Sequence, residues 1–77
     1  MSITVVQTLD LKGLSCPMPI VKTAKAMKRI SSGEMVEVFA TDPGSLPDFK
    51  AWCRATGNKL VESDQVDGVF HYVIQKR

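Results

Sequence analysis

The chain predicts a two-layer α/β (α+β) sandwich in the order β-α-β-α-β-β, with two helices on one face of a four-stranded mixed sheet. Three observations carry that expectation. Four short segments are rich in β-branched and aromatic residues, as strands are. The two segments between the first three of them place apolar residues at helical spacing. Strand–helix–strand connections are right-handed, which puts both helices on the same side of the sheet.

The first segment, Ile3 to Leu11, reads ITVVQTLDL and is a strand by its β-branched content. Gly13 and the pair Ser15-Cys16 interrupt it. Pro17 is expected at the first helical position, where a missing N–H costs nothing, with Cys16 as the N-cap and Pro19 third in the helix. The helix runs to about Ile30 on an apolar stripe of Ile20, Ala24 and Met27, widened by Val21 and Ile30. Lys22, Lys25 and Arg29 fall on its outer face, and Gly33 is the expected terminator. Met35 to Thr41 alternates as a second strand, and Asp42-Pro43-Gly44 turns the chain. Ser45 and Asp48 have the spacing of a capping box with Ser45 as N-cap. The helix that follows buries Leu46, Phe49 and Cys53 and stops at Gly57-Asn58 after about Thr56. Lys59–Ser63 and Val69–Lys76 close the sheet, joined through a hairpin signal at Asp67-Gly68. With the first two strands parallel, the loops after them share one end of the sheet. Cys16 and the Thr41-Asp42-Pro43 turn then lie on a common edge.

At 77 residues and 44% hydrophobic content the chain builds one domain, residues 1–77, around one small core. A chain this size buries only about 60% of its unfolded surface, so it has no room for a deep cofactor pocket. Chemistry belongs at its surface or is shared with a partner. No apolar run is long enough to span a bilayer, and Met1 to Asp10 lacks a basic stretch leading into an apolar block. The expectation is a cytoplasmic protein, in which a cysteine is core filler or a working thiol and not half of a disulfide. Net charge is +2, but residues 17–30 carry Lys22, Lys25, Lys28 and Arg29 and no acid. The remainder is net acidic, so the chain has one basic face.

The segment Gly13-Leu14-Ser15-Cys16-Pro17-Met18-Pro19 concentrates the chemistry. A thiol at a helix N-terminus is favoured as thiolate by the helix dipole, so the expectation is a pKa below the free value of about 8.5. Prolines on either side of Met18 leave that residue's N–H as the main donor near the sulfur besides that of Cys16. They frame the thiol stiffly without enclosing it. His71 is the single histidine, so a cysteine–histidine pair has weak support. There is no Cys-x-x-Cys, and two cysteines with one histidine give no zinc spacing, so no metal is expected.

Asp10-x-x-Gly13-x-x-Cys16-Pro17-x-Pro19 before a helix, with Thr41-Asp42-Pro43 after a Val-rich strand, resembles the TusA (SirA-like) sulfur-carrier family over about residues 8–76. The resemblance implies a sulfurtransferase that carries sulfur as a persulfide on Cys16, with Pro17 and Pro19 as supporting frame and no cofactor beyond that covalent intermediate. It implies a cysteine desulfurase or rhodanese-type donor and a downstream acceptor protein. Such carriers serve tRNA 2-thiolation, molybdenum-cofactor synthesis or sulfur oxidation. Met18, Lys22, Lys25 and Arg29 would then form a docking surface for acidic regions of those partners.

Blander readings stand beside these. Cys53 lies on the apolar stripe of the second helix and reads as core, and Trp52 packs at the core margin. Asp42 braces its turn, unless it sits near the sulfur, where its charge opposes thiolate formation. His71 reads as structural or exposed. The competing function is a nucleic-acid-binding or regulatory interaction domain without thiol chemistry. Four basic residues and 6% aromatic content argue against direct nucleic-acid binding, and no membrane partner is implied.

Overall fold

The structure is a computed structural model and describes residues 5–77. The order is β1 (Val5–Leu11), α1 (Met18–Met27), β2 (Met35–Ala40), α2 (Ser45–Thr56), β3 (Lys59–Val66) and β4 (Val69–Gln75). The strands form one mixed sheet in the order β1-β2-β4-β3. β1 and β2 are parallel and in register from Gln7↔Val36 to Leu11↔Ala40; the other pairs are antiparallel. Alternation along β2 sends Val36, Val38 and Ala40 into the core, where they meet Met27 of α1, Phe49 and Cys53 of α2, and Tyr72 and Ile74 of β4. Both helices therefore cover one face of the sheet. The expected start of the first strand at Ile3 lies outside the described residues.

The hairpin turn has Asp67 and Gly68 both at positive φ, 52° and 78°. This pair is the signature of the turn that matches strand twist. β3 runs three residues beyond its expected end at Ser63, because pairing with β4 continues to Val66↔Val69. β4 stops at Gln75, one residue short of the expected Lys76.

Three helix expectations need correction. α1 starts at Met18, with Pro17 as N-cap, and ends at Met27 instead of near Ile30. Arg29 N–H bonds back to Ala26 O at 3.0 Å, tightening the last turn, while Gly33 at φ 88° shapes the later turn into β2. The fully buried residues of α1 are Pro19, Thr23, Ala26 and Met27; of the expected line Met27 is buried, Ile20 and Ala24 are half-buried, and the widening residue Val21 is 37% exposed. Thr23 is tolerated at zero exposure because its hydroxyl donates to Pro19 O at 2.7 Å. In α2 the N-cap is Gly44, and no side chain caps the helix. Ser45 is instead buried in the first turn, its Oγ paired with Tyr72 Oη at 2.7 Å. Leu46 is half-buried. The C-terminus of α2 follows the reading: Gly57 adopts φ 81° and donates to Cys53 O at 2.9 Å.

Candidate functional site

Because β1 and β2 run parallel, their following loops leave from one end of the sheet. Gly13 N–H donates to Thr41 Oγ1 at 2.9 Å and ties the two loops together. Asp42 O accepts Ser45 N–H at 3.0 Å and Gly44 O accepts Asp48 N–H at 3.3 Å, so a hydrogen-bonded turn holds both carboxylates. Cys16 reaches this same edge from the mouth of α1, where the carboxylates of Asp48 and Asp42 act on its thiol. The common edge expected for Cys16 and the Thr41-Asp42-Pro43 turn is thus present.

Cys16 is exposed and free of any disulfide. Pro17 beside it is exposed, whereas Pro19 is buried under α1 and anchors the loop to the core. The Cys16–Pro17 peptide is cis. Met18, 39% exposed, sits on the rim.

The expected activation of the thiol does not occur. Its pKa is raised above the ordinary value. The hydrogen bond to Asp48 is the first cause, followed by desolvation and then by the charges of Asp48 and Asp42. The local backbone explains why α1 does not compensate. Cys16 lies one residue outside the N-cap, and Pro17 and Pro19 have no N–H. The Met18 N–H, read from the sequence as free, donates to Ser15 O at 2.9 Å. Little of the helix N-terminus is left to face the sulfur, while two carboxylates do. Asp42 accordingly plays the opposing part that the sequence allowed for. Asp48 was missed as a site residue because its spacing from Ser45 suggested capping. The available signal was positional: an acid in the first turn of a helix that follows a strand parallel to the one leading to Cys16.

The remaining candidates separate. Lys22 and Lys25 on α1 and Arg29 just past its end are exposed, and none of them forms an ion pair among the described residues. Cys53 is buried, and burial pushes its thiol up to about 11. Trp52 is half-buried against the core, edge-on to Phe49 at 6.2 Å. His71 lies on the sheet face away from the helices, with Nε2 2.6 Å from Glu37 and Nδ1 3.4 Å from Asp64. It is therefore no base for Cys16. No helix among the described residues is long and apolar enough to cross a membrane.

Known proteins share this arrangement. The crystal structure of a SirA-like protein from Desulfitobacterium hafniense superposes with a TM-score of 0.81 at 25% identity, covering 91% of this chain and 96% of that one. A protein of Allochromatium vinosum named sulfur carrier protein TusA is 49% identical over 70 residues, which are 91% of this chain and 92% of the relative. The profile of the family described as Sulfurtransferase TusA matches residues 7–76, from β1 through the cysteine loop to the residue after β4. With both helices, the body of all four strands and an exposed cysteine followed by Pro17 and Pro19 inside that match, the chain belongs to the TusA family.

Proposed function

We propose that this chain is a sulfur carrier that holds sulfur as a persulfide on Cys16 and passes it from one protein to another. The observation that carries the reading is the exposed, unpaired thiol on a stiff loop at the sheet edge, in a chain whose relative is named a sulfur carrier. A thiol buried in a pocket would suit a small substrate; an uncovered one suits approach by another protein's cysteine. The donor is a cysteine desulfurase or rhodanese-type protein, and the acceptor is a cysteine on a downstream protein. No cofactor takes part, and the activity is that of a sulfurtransferase.

In loading, the Cys16 thiolate attacks the terminal sulfur of the donor persulfide. The new S–S bond forms as the donor's S–S bond breaks, giving Cys16–S–SH and the donor thiolate, with no net oxidation. The Cys16 proton must leave first, and Asp48 and Asp42 oppose that loss in the free carrier. A cation brought by the donor against these two carboxylates would offset their charge, so the thiolate forms chiefly in the docked pair. Met18 beside the sulfur and the row Lys22, Lys25 and Arg29 supply the docking surface, which makes association salt-sensitive. The test is intact mass after incubation with a desulfurase and cysteine. The expected product carries the mass of one added sulfur atom, is removed by reductant and is absent in Cys16→Ser. If the wild-type chain gains no sulfur from desulfurase or rhodanese donors, the reading fails and an interaction domain without thiol chemistry takes its place.

A further inference from the structure

The two edges of the sheet are built differently. β3, at one edge, carries Lys59, Glu62 and Asp64, charges of the kind that discourage strand addition. β1, at the other edge, has no charged residue from Val5 to Leu9, and among the described residues no strand pairs with its outer side. Val5 and Val6 are 38% and 42% exposed. Beside this edge lies a groove of about 260 Å³, with Gln7, Leu9 and Leu11 of β1 on one side and Lys22 and Lys25 of α1 and Arg29 just past it on the other. No acid lines it.

We propose that this groove binds an extended acidic segment of a partner protein, which adds to the sheet as a strand beside β1. The backbone of β1 supplies the ladder and the cation row supplies the selection. The dimensions agree. Lys22 and Lys25 are about 4.5 Å apart along α1, which rises 1.5 Å per residue, and Arg29 extends the row two residues past its end. Side chains on one face of a strand recur every 6.7 Å or so. Two acidic residues at alternate positions of the added strand therefore sit under the row, on the face of Leu9 and Leu11, while the residues between them face the open side of the sheet. Strand addition pairs the segment where β1 is regular, from Gln7 to Leu11. The same cations without a groove would attract any polyanion; the open edge is what selects an extended polypeptide. This deepens the docking role given above to the basic row and does not depend on the sulfur chemistry.

The probe is a synthetic peptide as long as β1, with glutamate at alternate positions and valine or threonine between, titrated into the full-length Cys16→Ser chain. The expected result is saturable movement of the backbone amide resonances of Gln7–Leu11 and slowed hydrogen exchange in that strand. Combined Lys22→Glu and Lys25→Glu weakens binding at least tenfold while leaving the amide spectrum of the free chain folded. The same peptide methylated at every backbone nitrogen, which lacks the ladder donors in either direction, fails to bind. Three results would overturn the proposal. One is movement confined to α1 without protection of β1. Another is equal binding by the N-methylated peptide. The last is slowed exchange in β1 that depends on protein concentration without peptide, which would assign the edge to a second copy. Because Cys16 is absent from the test protein, failure here leaves the persulfide reading standing, and failure of sulfur loading leaves this one.

Discussion

Asp48 sits in the first turn of α2, where the helix N-terminus favours a negative charge, and that charge faces Cys16. The thiol is therefore exposed yet held protonated, a combination that keeps an uncovered sulfur from reacting indiscriminately. Asp48→Asn removes both the charge and the carboxylate acceptor. The expected outcome is a Cys16 pKa lower than in the wild type, seen as a downward shift in the pH midpoint of alkylation. Asp42→Asn, which removes only the weakest of the causes, shifts it less. An unchanged midpoint in Asp48→Asn would mean that the carboxylate does not set the thiol's ionisation. Cys53 serves as the internal control, since with its thiol pushed up to about 11 by burial it is alkylated only on unfolding.

At the scale of elements, local chemistry was the legible part and packing choice was not. Gly57 and Asp67-Gly68 were readable because positive φ demands particular residues there, and each adopts it. The α1 stripe was legible at Met27 and Ile20 but missed Thr23, because hydropathy counts it as polar. A threonine whose hydroxyl bonds the carbonyl four residues back is small and satisfied, and so packs as core. Ser45 misled for a related reason: its partner is Tyr72, 27 residues away, and nothing local announces it. The capping box was therefore the natural reading of Ser45 and Asp48, and it hid the carboxylate that faces the sulfur. Two measurements follow. Gly57→Ala forces a Cβ onto φ 81° and to 2.7 Å from the Arg77 Cδ, so it costs about 1–2 kcal/mol in urea unfolding. Ser45→Ala and Tyr72→Phe each strand one buried hydroxyl and cost about 1–3 kcal/mol, whereas the double variant costs clearly less than their sum. Additive losses would show that the two hydroxyls do not depend on each other.

Over the whole molecule, charge is sorted by layer. The helix layer presents Lys22 and Lys25 on α1, Lys28 and Arg29 just past its end, and Lys50 and Arg54 on α2. The sheet's open face has carboxylates from three strands, and at its centre Glu37 of β2 and Asp64 of β3 bracket His71 of β4. Thr8 Oγ1 donates to the other Glu37 oxygen at 3.2 Å, so the network crosses all four strands, and Phe39 lies against the imidazole at 4.9 Å. The sequence showed the basic face because four cations fall within eight consecutive residues, 22–29, but the acidic face is dispersed through strands far apart in the chain. Burial disfavours a charged His71, but the hydrogen bonds and charges of Glu37 and Asp64 outweigh it, and the net shift is upward from the ordinary 6.5. The folded state therefore holds the proton more tightly than the unfolded chain. The stabilisation is complete below the unfolded value of about 6.5 and fades as pH rises through the higher folded one. In a series of urea midpoints from about pH 5.5 to 8.5, the wild type should lose stability relative to His71→Gln as pH rises, the difference levelling off once the imidazole is neutral. A difference that stays flat, or grows with pH, would show that His71 is not the cation joining these strands.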